Sequence, residues 1–362
     1  MAASDVSIVQ DTFGRILGEE VQRFTFSNSD GFSFQVINFG AIITSIIVPD
    51  VRGVGTDVVL GFDTAEEYAS KSQPYFGATV GRVANRIKNG KFSIGNQQFN
   101  TTINRGNNTL HGGEDGFNFR TWQYHLDGKK VTFSYLSKDG EEGFPGDVLA
   151  TVTYELAPGN QLSITMKATS TKPTPINMCN HSYFNLAGHK SGATEVYKHT
   201  VKINAFGFTK TDSESIPTEF VRYGLNSFGD EKEVGDIVPV DNTPFDLRNS
   251  TILGEGIKAV SKFDDKGGYD HNFCIISSCD EDLAFVARVE HPISGIALEV
   301  HADQPGVQFY TGNGLSNATI GKGSTPYSKH GAFCLETQNY PDAVNHVCDH
   351  IANYSFFVDL NS

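Results

Sequence analysis

The chain has 362 residues and a formal net charge of −14, with 28 Lys and Arg against 42 Asp and Glu. That balance, without a Lys/Arg cluster, excludes a nucleic-acid binder, which needs a basic face to neutralise phosphates, and it disfavours anionic membranes and highly anionic substrates. Apolar residues at 38% with 27 Phe suffice for a sizeable core, while 37 Gly and only 19% charged residues fit many turns between short aromatic-rich strands.

The five cysteines, Cys179, Cys274, Cys279, Cys334 and Cys348, are odd in number and lack zinc or CxxC spacing, so buried free thiols are expected rather than disulfides. Residues 1–11 show no basic stretch followed by an apolar run, and no apolar run reaches the roughly 20 residues of a membrane helix. A cytoplasmic location is expected. A glycan on the sequon Asn180-His181-Ser182 requires a secretory compartment and would crowd a candidate histidine.

Along the chain the dominant signal is apolar/polar alternation over short runs bounded by Gly, Pro, Asn and Asp, the mark of half-buried strands. Residues 32–37 alternate first. Thr64-Ala65-Glu66-Glu67 then reads as a capping box before a short helix. Residues 81–90 and 108–113 are polar but flanked by strand pattern. In the second of these, His111 precedes Gly112-Gly113, which lets a ligand or backbone approach closely. Arg86 can fork two hydrogen bonds to a hydroxylated ligand, although a surface ion pair explains it as well. Residues 131–136 alternate again. Residues 150–156 and 161–167 form the clearest hairpin, turning on Pro158-Gly159-Asn160, where Gly and Asn tolerate positive φ.

His181 lies among apolar and aromatic residues between Met178 and Leu186, where a hydrogen-bonded structural histidine is the commoner case. Residues 211–236 are polar and acidic and read as a long surface loop. Asp270 sits in a glycine-rich turn before a strand at 273–277, and a turn-capping aspartate fits it equally. A second hairpin spans 284–290 and 296–301. Gln308 lies in the strand 307–310 and needs partners if it faces inward. Glu336 follows the apolar run 332–335. At the inner end of a buried strand, desolvation would raise its carboxyl toward a useful base, but a surface strand-end glutamate is the commoner reading of the local pattern. Pro341 to Asn345 fits one helical turn, and residues 355–360 a last strand. His189, His199 and His301 lack metal-ligand spacing and read as structural. The expected architecture is all-β: one domain over residues 1–362, a large antiparallel β-sandwich with very little helix.

Several of these segments together resemble the aldose 1-epimerase (galactose mutarotase) family. They are Gly81-Arg82-Val83-Ala84-Asn85-Arg86-Ile87, Leu110-His111-Gly112-Gly113, Gly143-Phe144-Pro145-Gly146-Asp147, Asn180-His181-Ser182-Tyr183-Phe184-Asn185-Leu186, Thr243-Pro244-Phe245-Asp246, Tyr269-Asp270-His271 and Leu335-Glu336-Thr337-Gln338-Asn339-Tyr340-Pro341-Asp342. The resemblance implies a β-sandwich with the sugar in an open cleft and no metal or redox cofactor. It further implies Glu336 as the base on the C1 hydroxyl, His181 as the acid on the ring oxygen and His111 assisting it. Asn85, Arg86, Tyr183, Asp270 and Gln308 would hold the hydroxyls. The substrate would be a free small-molecule aldohexose, and a monomer is the default state.

One departure stands out. After Ile216-Pro217-Thr218 the family runs soon into Pro-Val and Thr-Pro-Phe-Asp, whereas here residues 219–230 intervene before Pro239-Val240, as an insertion would. Three rival readings remain at this point. They are a hydrolase pairing Asp270 with Glu336, which needs a set carboxyl separation, a hexose-phosphate epimerase, which needs a cationic pocket, and a non-catalytic sugar binder, which needs no acid–base pair.

Overall fold

The alternation seen in the sequence decides which face of each sheet is wet. The computed structural model describes residues 6–70, 74–218, 220–225, 231–235, 237–277, 282–346 and 354–361. Three sheets carry the fold. The first is a five-stranded meander of Ser7–Ile16, Glu19–Ser27, Ser33–Ile37, Ile42–Pro49 and Gly55–Asp57. The second has nine strands and runs from Gln123–Asp127 through the hairpin Val148–Ala157 and Gln161–Ser170 to Tyr354–Asn361, then Ala297–Ala302, Ala284–Glu290, Thr200–Ile203 and Thr251–Ile252. The third is ordered Ile237–Pro239, Ala205–Thr209, Asp270–Ile275, Gly306–Tyr310 and Cys334–Gln338, with antiparallel neighbours throughout.

This third sheet positions the site. Phe273, Val307, Phe309 and Leu335 point from one face into the core cluster that also holds Val201, Val289 and Leu298 of the nine-stranded sheet. Register places Asp270, Tyr310 and Cys334 side by side, and Asn272, Gln308 and Glu336 in the next row. Directly paired residues share a face, so both rows look the other way. Glu336 lies mid-strand in Cys334–Gln338 rather than at the inner end of a run over 332–335.

The expected hairpins at 150–167 and 284–301 form with close to their expected bounds. Thr64 accepts the Glu67 N–H while the Glu67 carboxylate accepts the Thr64 N–H, closing the capping box. Residues 343–345 make the single helical turn. One further reading needs correction, and one helix escapes the sequence pattern. The stretch 211–236 is not one loop: Phe220–Leu225 pairs with Glu231–Gly235 as a two-stranded ribbon. Val and Tyr at 221 and 223 carry the strand preference that the acidic flank obscures. The helix Leu253–Val260 was hidden by Gly254 and Gly256, although Leu253, Ile257 and Val260 bury one face. Cys179, Cys274 and Cys334 are buried free thiols; Cys279 and Cys348 lie outside the described residues. Among the described residues no helix is long and apolar enough to cross a membrane.

Candidate active site

A cleft of about 280 Å³ opens over the polar face of the third sheet, and all eight residues singled out from the sequence line it. They arrive from separate segments: Arg86 from the short Arg86–Ile87 strand, Asn85 and His111 from turns beside it, His181 from Cys179–His181, Tyr183 just beyond it, and Asp270, Gln308 and Glu336 from adjacent strands.

Asn85 (φ 60°) and His111 (φ 50°) both sit in the left-handed region, which non-glycine residues occupy only when held there. Each holds the other. The His111 N–H donates to the Asn85 carbonyl at 2.9 Å, and the Asn85 N–H donates to His111 Nδ1 at 3.2 Å. Gly112 makes this possible, since a Cβ there would come within 1.9 Å of the Gly81 carbonyl oxygen. The close approach expected of this glycine is thus an approach of backbone.

The Asn85 bond also fixes a tautomer. Because Nδ1 accepts, the His111 proton resides on Nε2. Burial, then the neighbouring His181 and two arginines, keeps the ring well below its ordinary pKa and neutral. One donor atom from each of His111, His181 and Glu336 lies within 4.8 Å of the others, a spacing that a metal site also has. With one His111 nitrogen accepting and the other protonated, neither offers a free lone pair. The set therefore fits proton transfer and not metal ligation.

Glu336 and His181 form the centre, 2% and 5% exposed, with His181 Nε2 3.4 Å from Glu336 Oε1. Burial pushes the Glu336 carboxyl up to about 8, with the negative Asp270 nearby adding to it. Burial pushes His181 down to about 4. The imidazole is sandwiched between Tyr183 (centroids 5.0 Å, 9°) and Tyr75 (5.8 Å, 19°), with the His111 ring edge-on. Its Nδ1 finds no hydrogen-bond partner beyond its own backbone among the described residues.

A chain of amides lines the next part of the cleft. Asn85 Nδ2 donates to Gln308 Oε1 at 3.1 Å, and Gln308 Nε2 donates to Asp270 Oδ1 at 2.7 Å. Arg86 donates to Asn85 Oδ1 at 3.3 Å. These bonds set the amide orientations and leave groups that both give and take hydrogen bonds, as sugar hydroxyls require. Asp270 is braced from behind. Lys266 Nζ donates to its carbonyl at 2.9 Å, and its N–H donates to His271 Nδ1 at 3.1 Å while the far side of that ring meets Asp264 at 2.7 Å.

Tyr75, Arg105, Tyr310 and Leu315 also line the cleft and were not singled out from the sequence. Tyr75 and Arg105 sit in loops without a motif, and Tyr310 and Leu315 look like core residues. His189, His199 and His301 lie outside the cleft, hydrogen-bonded to Tyr327, to backbone groups and to Glu299 respectively.

A buried carboxyl–imidazole pair beside a row of two-way hydrogen-bonding groups is suited to moving protons on a hydroxylated molecule, the arrangement an acid–base enzyme of sugar chemistry needs. Residues 22–352 match the family model described as aldose 1-epimerase. The chain is 43% identical over 342 residues to the galactose mutarotase of Rattus norvegicus, covering 94% of this chain and 92% of that one. To the aldose 1-epimerase of Escherichia coli K12 it is 33% identical over 330 residues, covering 91% and 89%. Among solved structures, an aldose epimerase homologue from C. elegans superposes with a TM-score of 0.79 at 27% identity, covering 99% of both chains. The galactose 1-epimerase of Lactobacillus acidophilus shares the fold at a TM-score of 0.81 and 21% identity, again covering 99% of both. The chain belongs to the aldose 1-epimerase family. It is an isomerase that interconverts the anomers of aldoses.

Proposed function

We propose that the chain opens and recloses the ring of free aldohexoses, galactose and glucose among them, with Glu336 and His181 as base and acid. In the reactive form the pair carries one proton, as carboxylate and imidazolium. Glu336 takes the proton of the C1 hydroxyl, the O1 electrons form the aldehyde, the C1–O5 bond breaks, and O5 takes its proton from His181. Rotation about C1–C2 presents the other aldehyde face, and closure returns both protons. Ring opening thus converts a charged pair into a neutral one. Burial favours the neutral forms of both groups, so it makes Glu336 a stronger base and His181 a stronger acid.

His111, with its proton on Nε2, assists His181 at the ring oxygen. Asn85, Arg86, Tyr183, Asp270 and Gln308 bind the remaining hydroxyls, and a site that must pair its own buried polar groups rejects sugars lacking the matching hydroxyl. The steps need no metal or redox cofactor. One domain acting as a cytoplasmic monomer on a small-molecule sugar, without nucleic-acid or membrane partners, fits the buried free thiols and the net charge of −14.

The observation that carries this reading is the 3.4 Å contact between His181 and Glu336 under the amide row. Polarimetry of freshly dissolved α-D-galactose and α-D-glucose tests it. The wild type should speed mutarotation of both and Glu336→Gln should not. A Glu336→Gln variant at full rate removes Glu336 from the base role, and a wild type inert on both sugars overturns the substrate assignment.

A further inference from the structure

The strand Cys179–His181 presents two side chains to one carboxyl. Residues 179 and 181 are two apart on a strand and share a face. His181 meets Oε1 of Glu336, and Cys179 Sγ lies 3.8 Å from Oε2. Cys179 is 1% exposed, packed with Val80 and Ala84 under the Ala78–Val80 strand that pairs with its own. We propose that Cys179 is a positioning residue for the reaction, its thiol donating to Oε2 so that the other oxygen of Glu336 stays aimed at His181 and the sugar. This rests on Glu336 being the base.

The direction of the bond follows from the groups. In the reactive form Glu336 is a carboxylate, which only accepts. Burial, with the Glu336 charge beside it, pushes the Cys179 thiol well above its ordinary pKa, so it keeps its proton and must be the donor. The choice of donor has a consequence. A hydroxyl at this position would make a shorter, charge-assisted bond that stabilises the carboxylate and weakens it as a base. A thiol is a weak donor, and it restrains rotation of the carboxyl while leaving most of its basicity intact.

The test compares pH profiles of kcat/KM for the wild type, Cys179→Val and Cys179→Ser. Valine keeps the bulk and removes the donor, so the alkaline limb should rise by about half to one pH unit and kcat should fall several-fold, with KM little changed. Serine supplies the stronger donor, so the limb should fall by a similar amount. A purely structural cysteine moves neither limb, and unshifted limbs in both folded variants overturn the proposal. If Cys179→Val does not fold, Cys179→Ala serves as the donorless variant, with the same expectation. Infrared spectroscopy of the resting enzyme reads the bond without turnover. The S–H band lost in the Cys179 variants should lie below that of the other thiols and shift in Glu336→Gln, and a band indifferent to Glu336→Gln overturns the bond itself. The two readings therefore fail separately. A fully active Glu336→Gln sinks the base assignment, whereas an unmoved S–H band sinks the clamp.

Discussion

Among the described residues two buried histidines each meet a glutamate, His291 with Glu195 and His181 with Glu336, and on the proposed mechanism only the second pair reacts. In the first, His291 Nε2 meets Glu195 Oε2 at 3.1 Å, and His199 stacks beside it with centroids 4.8 Å apart. Every ring nitrogen there has a protein partner. His291 Nδ1 is bonded by Ser294, His199 Nδ1 faces the Glu195 and Val196 carbonyls, and His199 Nε2 accepts the Leu186 N–H. The Lys198 ammonium and then the His291 N–H hold Glu195 below the usual carboxylate range. In the second, His181 and Glu336 are similarly close, but burial pushes Glu336 up and His181 down, and among the described residues no lysine or arginine is bonded to the carboxyl. One pair is stabilised as it stands. The other opens to the cleft and, on the proposed mechanism, exchanges protons with the sugar. Contact distance does not separate them; the fate of the surrounding hydrogen-bonding groups does.

The sharpest way to break that contrast is Glu336→Gln. Polarimetric kcat should fall about 10²–10⁴-fold, the range for losing a positioned proton-transfer group. Denaturant unfolding at pH 7 should show stability unchanged or raised, by roughly 1–3 kcal/mol. An acid whose folded pKa is raised loses stability as pH climbs from its unfolded value near 4.5 to about 8, and glutamine carries no such penalty. A large rate loss accompanied by unfolding would place Glu336 with the structural pair instead.

The pH profile comes next. On the proposed mechanism the one-proton pair is the active unit, and its limbs belong to the pair rather than to either residue. A bell-shaped kcat/KM is expected, rising as the pair loses its second proton at about 4 and falling as it loses the last at about 8. A profile flat from pH 5 to 10 would show that the pair does not gate the reaction.

The other histidine cluster sets an acid limit on the fold rather than on the chemistry. Burial pushes His199 from 6.5 down to about 3. Below pH 6.5 the unfolded chain takes up a proton that the folded ring refuses, so stability falls as pH falls until the folded value is reached. Between pH 6.5 and 5 this amounts to about 2 kcal/mol for one site, measurable as a lower midpoint in urea. His181, pushed down to about 4 by burial, adds to the same trend.

How much of this the sequence discloses depends on the coverage of each strand. Hairpins with one wet face, such as Val148–Ala157 with Gln161–Ser170, alternate and are legible residue by residue. The strand Cys334–Gln338 is buried at all five positions, so periodicity cannot tell that Glu336 faces a cleft, and only the resemblance over residues 335–342 raised it above a surface glutamate. Cys179 is harder still. A small sulfur side chain in an apolar segment reads as core, and nothing local discloses that it reaches a carboxyl 157 positions away. Tyr75 and Arg105 belong to loops, and only the assembled cleft shows what they face.

The mildest test is Glu195→Gln, the mirror of the first. Its side chain is 25% exposed and shares its charge with the half-exposed Lys198, so solvent screens most of the ion pair's worth. The amide still offers an oxygen to His291 Nε2–H. The loss at pH 7 should therefore stay under about 1 kcal/mol, and mutarotation rates should match the wild type. The pH dependence carries the information. A carboxylate held below its unfolded value near 4.5 contributes stability above that value and loses it as pH falls through the folded one. Glutamine removes this contribution, so the wild-type advantage over Glu195→Gln should be present at pH 7, shrink as pH falls below 4.5 and vanish once pH is below the folded value. A rate change in this variant would mean that the two pairs are coupled, and the contrast between a reactive and a structural pair would no longer hold.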